Sequence, residues 1–272
     1  MMKQKAIATE EAKKIMFDIM SDFDAFCRKH GLRMWLYAGT LLGAVRHKGY
    51  IPWDDDIDVC MPREDYEKLI KIADEIDPKY TILEHRLNKK YAYPFMKVSL
   101  TDSSCVEFHD PKFCGVKLGI YIDVFPIDYV GDTLEEAKEH CKKTEEMRLS
   151  NLKLLQYDIV ASNAFVRGLK KIKRYFVHKF ETTKLLNKFN ALITKYDHPT
   201  KYSAVPVWMN AAKTILETKD YQGNKTLTFE GKVFSTFDGY IHFLETLFGD
   251  YMKLPPLEQR ETHGFEAYII EK

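Results

Sequence analysis

Asp54, Asp56 and Asp58 recur at every second position, and Cys60 follows them in the same rhythm. In extended chain, alternate side chains share a face, so Asp56, Asp58 and Cys60 line up while Ile57, Val59 and Met61 point the other way. Carboxylates spaced this way have Cα atoms about 6.6 Å apart and can share a hard divalent cation. Without a cation they repel one another in a low-dielectric cleft. Asp54 keeps the parity if the strand runs regularly that far, and Asp55 adds to the acidic burst. Upstream, the apolar run Met34 to Tyr37 enters a Gly39-Thr40 turn that opens a short amphipathic helix, Leu41 to Arg46. Such a turn at a helix N-terminus offers N–H groups and a hydroxyl to an anion. The two halves together read as a site for Mg²⁺, or Mn²⁺, and phosphate. Arg46, His47 and Lys48 lie between them, either as cations for the anion or as a solvent-facing basic loop. Trp53 has the chemistry to cover a base or a quaternary ammonium, or to pack in the turn.

The full string Gly39-Thr40-Leu41-Leu42-Gly43-Ala44-Val45-Arg46-His47, with Ile51-Pro52-Trp53-Asp54-Asp55-Asp56-Ile57-Asp58, resembles the LicD family, related to the fukutins within the nucleotidyltransferase superfamily. Tyr121-Ile122-Asp123-Val124-Phe125-Pro126-Ile127-Asp128 extends the likeness, as does Tyr240 to His263 with Phe248-Gly249-Asp250-Tyr251-Met252 and Pro255-Pro256. Residues 140 to 205 match least. The resemblance implies an α+β nucleotidyltransferase-like core with a small mixed sheet flanked by helices. It implies a Mg-dependent transferase that moves a phosphorylated alcohol, typically phosphocholine, from a CDP-activated donor to a hydroxyl of a cell-surface glycan. Teichoic acid, lipopolysaccharide or a lipid-linked precursor would be the acceptor, and CMP the product. Asp56 and Asp58 would hold the metal, with Gly39, Thr40, Arg46, His47, Lys48 and Trp53 on the donor. Arg260 and His263, ordinarily surface decoration so near the end, become candidate donor or acceptor contacts.

The positioning elements follow from periodicity. Residues 9 to 30 read as a helix with Thr9 as cap, Gly31 as stop and Ile15, Ile19, Phe23 and Phe26 as a core stripe. Arg63 to Ile76 is a second helix. Tyr80 to Glu84, Phe95 to Leu100 and Cys105 to Phe108 read as strands. Lys97, inside the second of these, is an edge-strand lysine or a phosphate contact. Gly119 to Phe125 is a strand in which Tyr121, Asp123 and Phe125 share a face. An acid in such apolar surroundings is costly to bury unless paired or metal-bound. The nucleotidyltransferase resemblance implies a third carboxylate on a strand beside the first two. Asp123 is the candidate for it, as a further metal contact or as acceptor of the hydroxyl proton, and Asp128, at the expected strand exit where an acid is usually a turn residue, is second choice.

Residues 133 to 156 form a charged helix, and a basic segment follows from Arg167 to Phe180. Leu169, Ile172, Phe176 and Phe180 fall there at helical spacing. The segment is either a core-packed helix with a wet basic face or a helix lying on an anionic membrane surface. Val205 to Met209 and Val233-Phe234 suggest short strands, and Tyr240 to Phe248 a helix ended by Gly249. The expected organisation is a catalytic core over 1–135, a helical segment over 136–204 and a C-terminal segment over 205–272 that completes the cleft.

The 272 residues carry 41 basic and 40 acidic side chains, a net charge of +1, which gives no global attraction to nucleic acid. No run is apolar for long enough to span a bilayer. Five cysteines without a Cys-x-x-Cys pair read as thiols of a reducing cytosol. A cytoplasmic protein, peripheral at the inner membrane face, is expected. Two other classes remain open: a true nucleotidyltransferase releasing pyrophosphate, and a non-catalytic envelope-assembly protein.

Overall fold

The computed structural model describes residues 3–107, 116, 118–155, 164–176, 181–260, 262 and 264–271. The chain opens with β1 (Lys3–Ile7) and α1 (Thr9–Lys29). Ala8, not Thr9, is the N-cap of α1, and Thr9 is already helical. The expected stripe faces inward, with Ile19 and Phe23 buried and Ile15 and Phe26 half-buried against the same core. Gly31, at φ +67°, takes the left-handed conformation that ends the helix.

Next come β2 (Trp35–Leu36), α2 (Ala38–Arg46), β3 (Asp58–Pro62), α3 (Arg63–Lys71), β4 (Tyr80–Leu83), β5 (Met96–Leu100), β6 (Ser103–Glu107) and β7 (Tyr121–Gly131). The α-helix from Arg63 stops at Lys71, and a 3-10 turn, Ala73–Glu75, takes over. Strand β7 is the longest of the described strands and the spine of the central sheet. It runs on through Pro126, so Asp128 is a strand residue and not a turn residue. The second half of the chain adds α4 (Leu134–Leu155), α5 (Ala164–Phe176), α6 (Thr182–Ile193), β8 (Tyr202–Ala204), β9 (Leu216–Glu217), β10 (Lys225–Phe229), β11 (Lys232–Thr236), α7 (Tyr240–Phe248) and β12 (Phe265–Glu271). The run Val205 to Met209, expected to be extended, turns instead, with the Trp208 N–H donating to the Val205 carbonyl.

The central sheet is mixed, in the order β2-β3-β7-β5-β4, with β8 and then β9 joined beyond the upper half of β7. Strands β3 and β7 are parallel, and β5 is antiparallel to β7. Lys97 on β5 therefore lies inside the sheet and not on its edge. Helices flank this sheet, as an α+β nucleotidyltransferase-like fold requires. Sheets cross both expected segment boundaries: β8 extends the central sheet, and β12 pairs with β1 and β6. One apolar core runs from Met16 and Phe23 of α1 through Val59, Ile122 and Val124 of the sheet to Phe243 of α7. Cys27, Cys60, Cys105 and Cys141 are buried free thiols.

Candidate active site

The site is a row across three adjacent strands. Asp58 opens β3 opposite Asp123 of β7, and Asp123 is opposite Lys97 of β5. In-register partners share a face, so sheet pairing alone puts these three side chains together. Lys97 Nζ donates to Asp123 Oδ1 at 2.7 Å, and the lysine is 2% exposed. Its Nζ also sits 3.5 Å from the Tyr121 ring centroid and 4.8 Å from that of Tyr93, so aromatic faces supply part of its solvation. Asp58 is 5% exposed. Burial drives its carboxyl well above the usual range, Asp56, Asp123 and Asp54 push the same way, and Lys97 opposes them.

The loop before β3 supplies the other acids. Asp56 precedes the first residue of the strand, so strand parity does not bring it beside Asp58. Loop geometry does this instead, since both line one cleft of about 400 Å³ with Asp54, Gly39 and Trp53. Asp54 lies over the start of α2, where a Cβ on Gly39 would meet Asp54 Oδ2 at 2.6 Å. Only glycine admits that approach, and the helix N-terminus favours the negative charge. Helix α2 begins at Ala38, at φ +42°, so Gly39 and Thr40 form its first turn rather than a turn ahead of it. Thr40 is buried, and its Oγ1 accepts from the Asp58 N–H at 2.8 Å. That bond ties the helix to the carboxylate strand. Asp55 points elsewhere: it is buried and accepts from the Gly264 N–H at 3.1 Å.

The basic loop takes up structural contacts of its own. Arg46 donates to the carbonyl of Tyr251 at 2.7 Å and to His47 Nε2 at 2.9 Å. Burial, then the Arg46 charge, lowers the His47 pKa, in keeping with a neutral acceptor ring. Lys48 donates to the Val45 carbonyl at 3.3 Å, at the end of α2. Trp53 carries the Arg260 guanidinium 4.7 Å above its ring and meets His47 edge-on. Arg260 also donates to the Pro255 carbonyl at 2.9 Å. His263 lies outside the described residues. Asp128 belongs to another region: its carboxylate receives Arg63 Nε at 2.6 Å and Nη2 at 2.8 Å.

Across the cleft, sequence reading misses Trp208, Asn210, Lys213 and Phe248 as wall residues. Asn210 at φ +59° turns the chain into a 3-10 segment that presents Lys213. A lone asparagine between Met209 and Ala211, a residue type that tolerates the left-handed conformation, is the available signal.

Among the described residues, no three His, Cys, Asp or Glu side chains converge closely enough to hold a metal by themselves. The donor set nonetheless fits a hard cation. Asp56 and Asp58 offer oxygen only, and the like charges around Asp58 are what a divalent ion would offset. Mg²⁺ ordinarily takes one or two carboxylates and completes its shell with water and substrate phosphate.

Residues 31–153 match the family described as LicD/FKTN/FKRP, nucleotidyltransferase domain. The chain is 27% identical over 270 residues to the lipopolysaccharide cholinephosphotransferase LicD of Haemophilus influenzae, covering 98% of this chain and 100% of that protein. It is 34% identical over 98 residues to the uncharacterized protein RP689 of Rickettsia prowazekii, covering 36% of this chain and 35% of that one. A 35-residue stretch is 54% identical to the ribitol 5-phosphate transferase FKRP of Homo sapiens, covering 13% of this chain and 7% of that one.

Proposed function

We propose that this chain, a LicD-family protein through residues 31–153, is a phosphotransferase that moves a phosphorylated alcohol from a CDP-activated donor to a glycan hydroxyl and releases CMP. The observation that carries the reading is Asp58, desolvated among Asp54, Asp56 and Asp123 at the mouth of a cleft. Nothing in ordinary packing favours four acids gathered there, whereas a cation-bound diphosphate does.

Asp56 and Asp58 would hold Mg²⁺, which when bound neutralises charge on the diphosphate. Thr40 fixes Asp58 by its backbone, and Lys97 holds Asp123 in place through the 2.7 Å bond to its Oδ1. Asp123 is the group placed to accept the acceptor hydroxyl's proton as that oxygen bonds to the β-phosphorus and the bond to CMP breaks. Lys213, on the opposite wall, is the cation we assign to the phosphates, ahead of Arg46, His47 and Lys48, which do not line this cleft. Trp208 and Phe248 give the cleft aromatic walls suited to a quaternary ammonium, which favours phosphocholine. The full-length likeness to a cholinephosphotransferase supports the same choice. The acceptor is a cell-surface glycan or its lipid-linked precursor, met at the cytoplasmic face of the membrane.

The test incubates the protein with CDP-choline labelled in the choline, Mg²⁺ and deacylated or lipid-linked glycan. The expected result is label in the glycan with one CMP per transfer. Pyrophosphate released from CTP, with no CMP from CDP-choline, would replace this reading by nucleotidyl transfer. Tight donor binding without turnover would leave a binding protein.

A further inference from the structure

Helix α5 (Ala164–Phe176) is built the wrong way round for a core helix. Its sequence, AFVRGLKKIKRYF, holds five cations and no acid. At helical spacing, Phe165, Leu169, Ile172 and Phe176 fall within a sector of about 60°, and the five basic positions occupy the remaining arc. A helix that packed on the core would bury that sector. Here Phe165 is 75% exposed, Leu169 52%, Ile172 58% and Phe176 54%. A Cβ added at Gly168 would meet nothing within 4 Å. Of the two sequence expectations for Arg167 to Phe180, the core-packed helix does not hold for the described part, and Phe180 lies outside the described residues. No described helix is long and apolar enough to cross a membrane, and α5 is too short to do so.

We propose that α5 is an interfacial anchor that lays its Phe165–Leu169–Ile172–Phe176 face into the surface of an anionic phospholipid membrane. Charge decides the occupant. A second copy of the same face would bring like cations against these. An anionic bilayer offers hydrocarbon to the apolar sector and headgroup charge to its flanks, and phenylalanine and tyrosine suit that boundary. Neither half suffices alone, since one short helix buries little hydrocarbon and surface cations are screened by salt. Docking is accordingly reversible and salt-sensitive. It depends on α5 alone and needs no donor, acceptor or turnover.

Flotation of the full chain with phosphatidylglycerol/phosphatidylcholine vesicles, against phosphatidylcholine vesicles, tests it. The wild type should partition onto the anionic vesicles at least about tenfold better at low salt, and lose most of that at about 0.5 M salt. L169E/I172E and K170E/K171E/K173E should each lower anionic partitioning at least about tenfold. L169E/I172E should keep the wild-type circular dichroism and Tm, because Leu169 and Ile172 are both more than half exposed. A wild type that stays off anionic vesicles at low salt overturns the proposal, as does an L169E/I172E protein that floats like wild type. A wild-type dimer that L169E/I172E splits, without flotation, would assign the face to another copy of the chain instead.

Discussion

Asp123 and Asp128 stand on the same strand, yet β7 treats them in opposite ways. Asp128 is matched completely: it is 2% exposed, and one guanidinium engages both of its oxygens. Burial leaves its pKa raised on balance, with Arg63 opposing the rise. Asp123 sits among its own kind. Lys97 faces it at 2.7 Å, but Asp58 lies in register on the next strand with Asp56 and Asp54 nearby. A fold tolerates a buried acid by pairing it. Where acids are gathered faster than cations, the excess charge marks a place meant for something brought from outside.

The sharpest way to break this contrast is at Asp58. Asn in its place keeps the shape but offers a weak, uncharged ligand. Turnover of labelled donor should fall about 1,000-fold, the scale of losing one well-placed electrostatic stabiliser. The Tm should match or exceed that of the wild type, because a charge is removed from a cluster of like charges. A D58N enzyme within about threefold of wild type at saturating Mg²⁺ would remove Asp58 from the reaction.

The two acids of β7 come next. D123N should lower turnover about 100-fold and cost less stability in urea than D128N, because the Tyr121 and Tyr93 rings still face the buried Lys97 ammonium. D128N should do the reverse, costing up to roughly 3–5 kcal/mol of stability because Arg63 loses a charged partner on Nε and Nη2 and keeps Glu67 at 3.2 Å, while activity per folded molecule stays within about twofold. Equal stability losses would mean that both are structural pairs. Smaller still, K213A should raise KM for the donor more than it lowers kcat, for a combined loss of about thirtyfold. An unchanged KM would return the phosphate contact to the Arg46–Lys48 loop.

Much of the site is legible in the sequence. Gly39, Asp54, Asp56 and Asp58 line one cleft and Asp123 lies in register with Asp58, since strand alternation and family motifs are local patterns that folding preserves, whereas Asp55 of the same run turns away to Gly264. Asp128 reads as a turn residue because Pro126 looks like a stop, whereas β7 carries the proline in its interior and continues. Lys97 cannot be ranked from sequence because edge or centre is a property of pairing order, which a single strand does not encode. Trp208 and Lys213 are invisible for a similar reason: they reach the cleft only because β8 and β9 join the far half of the spine. The basic loop misleads in the other direction. Three adjacent cations suggest a phosphate clamp, yet Arg46 and Lys48 mostly satisfy carbonyls.

The smallest effect isolates the metal from the chemistry. If excess negative charge marks the site, a divalent ion should stabilise the folded chain without any donor present. At about ten times its dissociation constant a single bound ion contributes roughly 1.4 kcal/mol, a rise in Tm of about 3–5 °C for a chain of this size. Mg²⁺ or Mn²⁺ should therefore raise the wild-type Tm against an EDTA control, at constant ionic strength so that general screening cancels. The same shift should persist in D128N, whose altered acid lies on a matched pair away from the cleft. It should vanish in D58N, which has lost a ligand and part of the repulsion that the ion relieves. A shift retained in D58N but lost in D128N would reverse the contrast, making the Arg63 pair the charge-sensitive region and the acid row an ordinary buried cluster.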